Sequence, residues 1–206
     1  MYLVKSNILL RSAYPNRFWK INSKGRKEIY LTFDDGPHPQ ITPFVLDELR
    51  KYNAKATFFC IGNNVKKYPE IYELILKRDH AVGNHTFSHV NGWKTPDDAY
   101  LQDIEEAAKY INTRLFRPPY GRMSYKQEKL FRHKFSGHEI IMWDVLSADY
   151  DQNISGEKCL KNVVNNSKPG SIIVFHDSEK AFARLKYALP KVLEHFSEKG
   201  FSFKSL

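Results

Sequence analysis

Short apolar runs and amphipathic helical faces take turns along this 206-residue chain, and that alternation limits its fold more than any other feature. Strand-like runs fall at 28–33 (EIYLTF), 56–61, 81–84, 115–117, 139–144, 171–175 and 201–204. Between them, apolar residues recur at helical spacing. One face carries Phe44, Val45, Leu49 and Tyr52, and a second Val65, Tyr68, Tyr72, Ile75 and Leu76. A third carries Leu101, Ile104, Ala108 and Ile111, and the last Leu185, Leu189, Val192, Leu193 and Phe196. Weaker helical patterns cover 124–135 and 156–166, and Pro190 predicts a kink or a late start in the last helix. Strands separated by helices pair in parallel through crossovers, so the class is α/β. Two architectures compete: an open doubly wound sheet and a closed or nearly closed (β/α) barrel.

The polar residues choose between them. Asp34 and Asp35 follow the first strand, His85 and then His89 the third, and Arg117 with its PPYG turn the fourth. Trp143–Asp144 ends the fifth with Asp149 close behind, and His176–Asp177 follows the sixth. Reactive groups therefore gather at the carboxyl ends of five strands. A barrel brings such ends to one rim, whereas an open sheet favours a single switch-point crevice. No glycine-rich phosphate-binding pattern, GxGxxG or GxxxxGK[ST], is present. A barrel is expected.

Apolar residues at 42% and aromatics at 14%, with no repeat, linker or low-complexity tract, suit one packed domain over 1–206. The net charge of +9 invites an anionic polymer, but the charges are dispersed and only SKGRK (23–27) clusters. A solvated basic surface is the plainer reading, and no nucleic-acid partner is expected. Cys60 and Cys159 make neither a disulfide framework nor a CxxC motif, and Cys60 in ATFFCIG reads as a buried thiol. No run approaches the ~18 apolar residues of a membrane span, and the N-terminal residues lack a signal-peptide core. By sequence the chain is cytoplasmic, or envelope-associated if it is exported by a signal not visible here.

The pair Asp34–Asp35 stands between an apolar strand and the bend Gly36–Pro37. Successive strand side chains point to opposite faces, so both carboxylates approach one centre only where the strand bends. A cation makes such crowding tolerable: one carboxylate can bind it while the other stands beside its water. Asp97–Asp98 is a contrast, because after Thr95–Pro96 it reads as acids in a helix's first turn. In HTFSH, His85 and His89 are spaced to share a face on a helix or tight turn and to grip one metal, although a four-residue spacing arises easily by chance. Arg117 reads as a surface residue before a rigid Pro-Pro turn or as an ion partner for the carboxylates. His176 reads as a hydrogen-bonded core residue or a functional one. Asp144 and Asp149 could be loop acids.

Taken together, TFDDGP, HTFSH, RPPYG, WDVLSADY and IIVFH resemble, in order, the five motifs of the polysaccharide deacetylase family, the NodB-homology domain of the carbohydrate esterases; they span residues 32–176. The resemblance implies a distorted, possibly incomplete (β/α) barrel of about seven parallel strands, a divalent metal that is commonly zinc, and removal of acetyl groups from amino sugars. Residue by residue, it implies that Asp35, His85 and His89 hold the metal, Asp34 is the general base and His176 the general acid. Arg117 would hold Asp34, Asp149 would tune His176, and the backbone N–H of Tyr120 would meet the oxyanion. The fourth motif departs from W-x-x-D-x-x-D-W: Leu146 stands at the middle Asp position and Tyr150 at the last Trp. That puts the tuning of the acid and the shape of the sugar pocket in question.

The expected reaction is N-acetyl hydrolysis on an acetylated oligo- or polysaccharide of peptidoglycan or chitin type, with water activated at the metal as nucleophile. An O-acetyl esterase acting on xylan or another sugar would use the same groups. A non-catalytic glycan- or nucleic-acid-binding protein is opposed by the complete set Asp34, Asp35, His85, His89 and His176.

Overall fold

The computed structural model describes residues 3–206. In chain order the elements are α1 (Ile8–Ala13), β1 (Glu28–Asp34), α2 (Ile41–Lys51), β2 (Ala56–Cys60), α3 (Gly62–Lys67), α4 (Pro69–Lys77), β3 (Ala81–Asn84) and α5 (Asp97–Ala108). Then come β4 (Leu115–Phe116), α6 (Tyr125–Lys134), β5 (Glu139–Ile140), β6 (Val145–Leu146), α7 (Gly156–Val164), β7 (Ile172–His176), α8 (Glu179–Glu198) and β8 (Ser202–Phe203).

The strands pair in parallel in the order β5-β4-β3-β2-β1-β7-β6, and β8 joins the start of β1. The sheet curls into a half-barrel, so the (β/α) barrel expected from the strand ends is present in incomplete form. β1 lies near its centre and is buried at every residue, as a parallel strand covered on both faces must be. Its two faces do different work. Ile29, Leu31 and Phe33 enter the main core beneath the helices, where Phe33 stacks on Phe58 and Phe175 at 5.1 and 6.0 Å between ring centroids. Tyr30, Thr32 and Asp34 alternate with them; Tyr30 packs with Phe59, Ile141 and Ile172 in a smaller cluster on the concave side. The register sets Asp34 level with Phe59 on β2 and His176 on β7, so these strand ends finish together.

The strand expected at 139–144 ends at Ile140, and a separate strand begins only at Val145. β5 and β6 form opposite edges of the sheet and do not pair with each other. Between them the backbone alternates between sheet and N-terminal segment: Ile141 N–H donates to Phe116 O (2.8 Å) and Asp144 N–H to Ile172 O (2.9 Å), while Phe18 N–H donates to Ile140 O (2.9 Å), Met142 N–H to Phe18 O (2.7 Å) and Ser6 N–H to Asp144 O (3.0 Å). The N-terminal residues thus cover the gap of the half-barrel. Asp144 anchors them. It is fully buried, and it accepts from Lys5 Nζ (2.6 Å), from Arg11 and from Ser171 Oγ (2.5 Å). It is therefore not a loose loop acid.

Other departures have local causes. The apolar face from Val65 to Leu76 belongs to two helices, because Tyr68 before Pro69 is driven from helical backbone (φ −130°, ψ 59°) and Pro69 begins α4. α8 starts at Glu179 and runs through Pro190, so a late start is not found. Asp97 and Asp98 do occupy the first turn of α5, with Pro96 one position earlier, at the cap. Both cysteines are buried and free. Among the described residues no helix is long and apolar enough to cross a membrane.

Because two partly exposed cations converge on the buried Asp144 carboxylate, Asp144→Ala is expected to cost about 2 kcal/mol, less than a wholly buried pair would. A lowered urea midpoint with an unchanged m value checks this.

Candidate functional site

Asp34 is the last residue of β1 and keeps the concave-side parity of Thr32. The next side chain on a regular strand would point away. Asp35 instead takes a left-handed backbone (φ 82°), which returns its carboxylate to the concave side. Asn64 Nδ2 holds the Asp35 carbonyl at 2.7 Å, and Gly36 O accepts from Ile61 N–H at 2.9 Å, so the bend is tied to the start of α3.

His85 follows β3 directly. The segment to His89 is neither helix nor regular turn, since Thr86 (φ 63°) and His89 (φ 56°) are both left-handed. This brings the two rings to 5.1 Å between centroids without a helical face. Nε2 of His89 and of His85 lie 3.2 and 3.8 Å from Asp35 Oδ1. One ligand atom from each of Asp35, His85 and His89 falls within 4.8 Å of the others. His85 Nδ1 is 2.8 Å from Arg117 O, and a carbonyl can only accept, so the proton sits on Nδ1 and the Nε2 lone pair faces the cluster. Burial pushes His85 down to about 4, so its ring is neutral at ordinary pH. Burial pushes the Asp35 carboxyl up, but His89 and the protonated His176 outweigh it and hold the group well below the usual carboxylate range. Asp35 Oδ1 is buried, and although His89 Nε2 lies 3.2 Å away the pair is not aligned as a hydrogen bond. A buried anionic oxygen left bare beside an imidazole lone pair is costly without a cation, and one carboxylate with two imidazoles is a donor set that zinc takes.

Arg117 is fully buried at the end of β4. Its Nη1 donates to Asp34 Oδ1 and to Thr32 Oγ1, both at 2.7 Å. Nε donates to Ile141 O (3.2 Å) and Nη2 to Met142 O (3.0 Å), while the guanidinium lies over the Phe59 ring at 4.0 Å. The surface reading of Arg117 is thereby excluded.

His176 ends β7. Its Nδ1 and its backbone N–H each lie 2.7 Å from one oxygen of Asp149, a fully buried carboxylate. Burial alone would push His176 down; Asp149, helped by Asp35 and Asp34, raises it to about 10, so the ring carries a proton at neutral pH. With Nδ1 committed to Asp149, Nε2 is the nitrogen left to act. Tyr150 meets the His176 ring edge-on at 5.2 Å.

Tyr120 sits in the PPYG turn with φ 59° and its ring 4.7 Å from His89. The turn is closed by Gly121 and Arg122 donating to Pro118 and Pro119, and the Tyr120 N–H takes no part in those bonds. Asp34, Asp35, His85, His89, Tyr120 and His176 all line one cavity of about 1050 Å³, with Leu146 and Tyr150 also on its wall. Arg117 and Asp149 stand behind them.

One residue of this constellation was grouped with the strand-end acids in the sequence but given no role of its own. Asp177, next to His176, is buried; its Oδ1 accepts from Gly36 N–H (3.0 Å), its Oδ2 from Thr42 Oγ1 (2.5 Å), and its own N–H donates to Asp34 O (3.0 Å). It fixes the Asp34–Gly36 bend from β7. The fit is close: a Cβ on Gly36 would lie 2.1 Å from Asp177 Oδ2, so a larger residue there must displace the Asp177 carboxylate.

The polysaccharide deacetylase family profile matches residues 21–138. A peptidoglycan-N-acetylglucosamine deacetylase of Bacillus cereus is 35% identical over 188 residues, covering 88% of this chain and 67% of that protein. A chitooligosaccharide deacetylase of Azorhizobium caulinodans is 36% identical over 162 residues, covering 75% and 76%. The crystal structure of the Bc1960 peptidoglycan N-acetylglucosamine deacetylase superposes with a TM-score of 0.83 at 34% identity, covering 93% of this chain and 91% of that one.

Gly36→Ala is expected to displace the bend and lower zinc affinity about tenfold or more, although no ligand is changed. Isothermal titration with zinc reads it directly.

Proposed function

The chain belongs to the polysaccharide deacetylase family, and we propose that it removes N-acetyl groups from an amino-sugar glycan of the peptidoglycan type. The observation that carries this reading is the meeting of Asp35, His85 and His89 in one cavity, flanked by the Arg117–Asp34 pair and the Asp149–His176 pair. As a member of the family the chain is a hydrolase of carbon–nitrogen bonds other than peptide bonds. The peptidoglycan preference follows the Bacillus cereus relative and rests on likeness. Such a substrate would set its place of work at the cell envelope.

Asp35, His85 and His89 would hold the divalent cation, zinc by their donor chemistry. When bound, it lowers the pKa of water and polarises the acetamide carbonyl. Every other task falls to the chain. Asp34 takes the proton of the attacking water, and Arg117, donating to its Oδ1 at 2.7 Å, keeps it ionised and aimed. The N–H of Tyr120 donates to the oxyanion as the carbonyl becomes tetrahedral. His176, protonated through Asp149, gives its Nε2 proton to the departing amine, without which the amine could not leave. The acid survives the substitutions in the fourth motif because Asp149, not the position of Leu146, supplies the carboxylate to His176.

Three outcomes test this. Acetate release from N-acetylglucosamine oligomers should require metal and stop with chelator; release that ignores chelator contradicts the reading. Asp35→Ala should lose zinc, whereas Asp34→Asn should keep zinc and lose ~10²-fold or more in kcat. The pH profile should be bell-shaped, with activity falling at high pH as His176 deprotonates. Asp149→Asn removes the main charge that raises the His176 pKa, so this alkaline limb should move to lower pH; an unmoved limb would assign the acid elsewhere.

A further inference from the structure

The acids of this chain are not evenly shared. Residues 1–27 carry seven Lys and Arg and no Asp or Glu, so the other 25 cations stand against all 23 acids. The net charge of +9 is therefore mostly a property of the residues before β1. α1 belongs to that stretch, and its orientation is pinned. Asn7 Oδ1 accepts from Leu10 N–H at 2.8 Å, and the Arg11 guanidinium donates to Ser6 Oγ (3.0 Å), to Ser6 O (3.2 Å) and to Asp144. Leu10 and Arg11 thus turn toward the protein, while Ile8 and Leu9 stand 78% and 77% exposed. Leu3, just before them, is 54% exposed. Single exposed leucines are ordinary, but here a braced turn of helix holds two adjacent aliphatics in water. Cations stand beside them. Lys5 and Arg11 share one carboxylate, Asp144, so that cluster keeps an excess of positive charge. Lys5 also donates to Asn166 O at 2.6 Å, two residues from Lys168. Lys168 N–H donates to Ser171 Oγ at 2.9 Å, Lys20 bridges to Ser171 through its backbone, and both lysines are exposed.

We propose that the outer side of α1, with Leu3, Lys20 and Lys168, docks on an anionic phospholipid bilayer. Ile8 and Leu9 enter the boundary between headgroups and acyl chains, and the lysines meet the phosphates. Charge complementarity favours this occupant. A soluble polyanion would satisfy the cations but offers nothing to Ile8 and Leu9. A second copy of the chain would cover the aliphatics but bring like charge against like. The attachment is peripheral and reversible, since among the described residues no helix is long and apolar enough to cross a membrane. It rests on the outer surface and is independent of the chemistry in the cavity.

Flotation of the zinc-loaded protein with vesicles tests the proposal. Vesicles of equal parts phosphatidylglycerol and phosphatidylcholine should bind it about tenfold or more better than phosphatidylcholine alone, and raised salt should release it. Ile8→Ser together with Leu9→Ser should weaken that binding about tenfold, and Lys20→Gln together with Lys168→Gln about fivefold. Thermal melts should stay unchanged, because the altered side chains face solvent. Binding that ignores lipid charge overturns the proposal. So does binding that survives loss of both aliphatics, which marks a general attraction to polyanions. Failure to float, with self-association in sedimentation that Ile8→Ser and Leu9→Ser abolish, also overturns it and gives the surface to a second copy of the chain.

Discussion

A guanidinium with no access to water is the constraint around which this molecule is organised. Removing Arg117 from solvent costs several kcal/mol unless its donors are met and its charge is balanced. Here Asp34 balances it, Thr32, Ile141 O and Met142 O accept from three more of its five N–H groups, and the Phe59 ring covers one face. Those partners come from β1, β2 and the stretch between β5 and β6, so one side chain ties the middle of the sheet to its broken edge. The Arg117 backbone carbonyl also receives His85 Nδ1–H. A single residue therefore aims the carboxylate assigned as base and orients one imidazole assigned to the metal. That economy explains why a large charged side chain is tolerated where a barrel would otherwise fill with aliphatics.

The second feature of the rim is its backbone. Among the described residues, eight other than glycine have positive φ, and five of these fall in the site's loops: Asp35, Thr86, His89, Tyr120 and Ala148. Each such conformation is uphill for a side-chain-bearing residue and persists only when its surroundings over-determine it. The surroundings do so. Asp177 and Asn64 brace the bend at Asp35, Asp103 Oδ1 accepts from the N–H groups of Phe87 and Ser88 at 2.8 Å, and both oxygens of Asp149 hold His176. Regular strands deliver the chain to the rim, and irregular loops held by buried or half-buried carboxylates turn the side chains inward.

Much of this was legible in the sequence, and the boundary of what was legible is physical. β3 was read at its observed limits, and β1, β2 and β7 to within a residue or two, because buried parallel strands are continuous apolar runs. The clustering of reactive residues at strand ends pointed to a barrel rim, and the half-barrel bears that out. What escaped were features set by tertiary partners. α1 buries none of its residues and so has no apolar face to find. The run at 139–144 has strand composition throughout, yet its backbone is shared between the sheet, at Phe116 and Ile172, and Phe18 and Ser6, more than 120 positions away. Asp144 and Asp177 looked alike as acids after apolar strands; only coordinates reveal that one anchors the N-terminal segment and the other the bend at Gly36. The pairing of His85 with His89 was anticipated, but the two left-handed residues that achieve it were not.

The account turns on one cation position shared by Asp35, His85 and His89, with Asp34 beside it and not ligated. Anomalous diffraction at the zinc edge, from crystals of zinc-loaded protein, tests that most directly. The account predicts a single strong peak about 2.0–2.2 Å from an Asp35 carboxylate oxygen and from Nε2 of both histidines. A peak bound instead by Asp34, or no peak within reach of all three side chains, would contradict it.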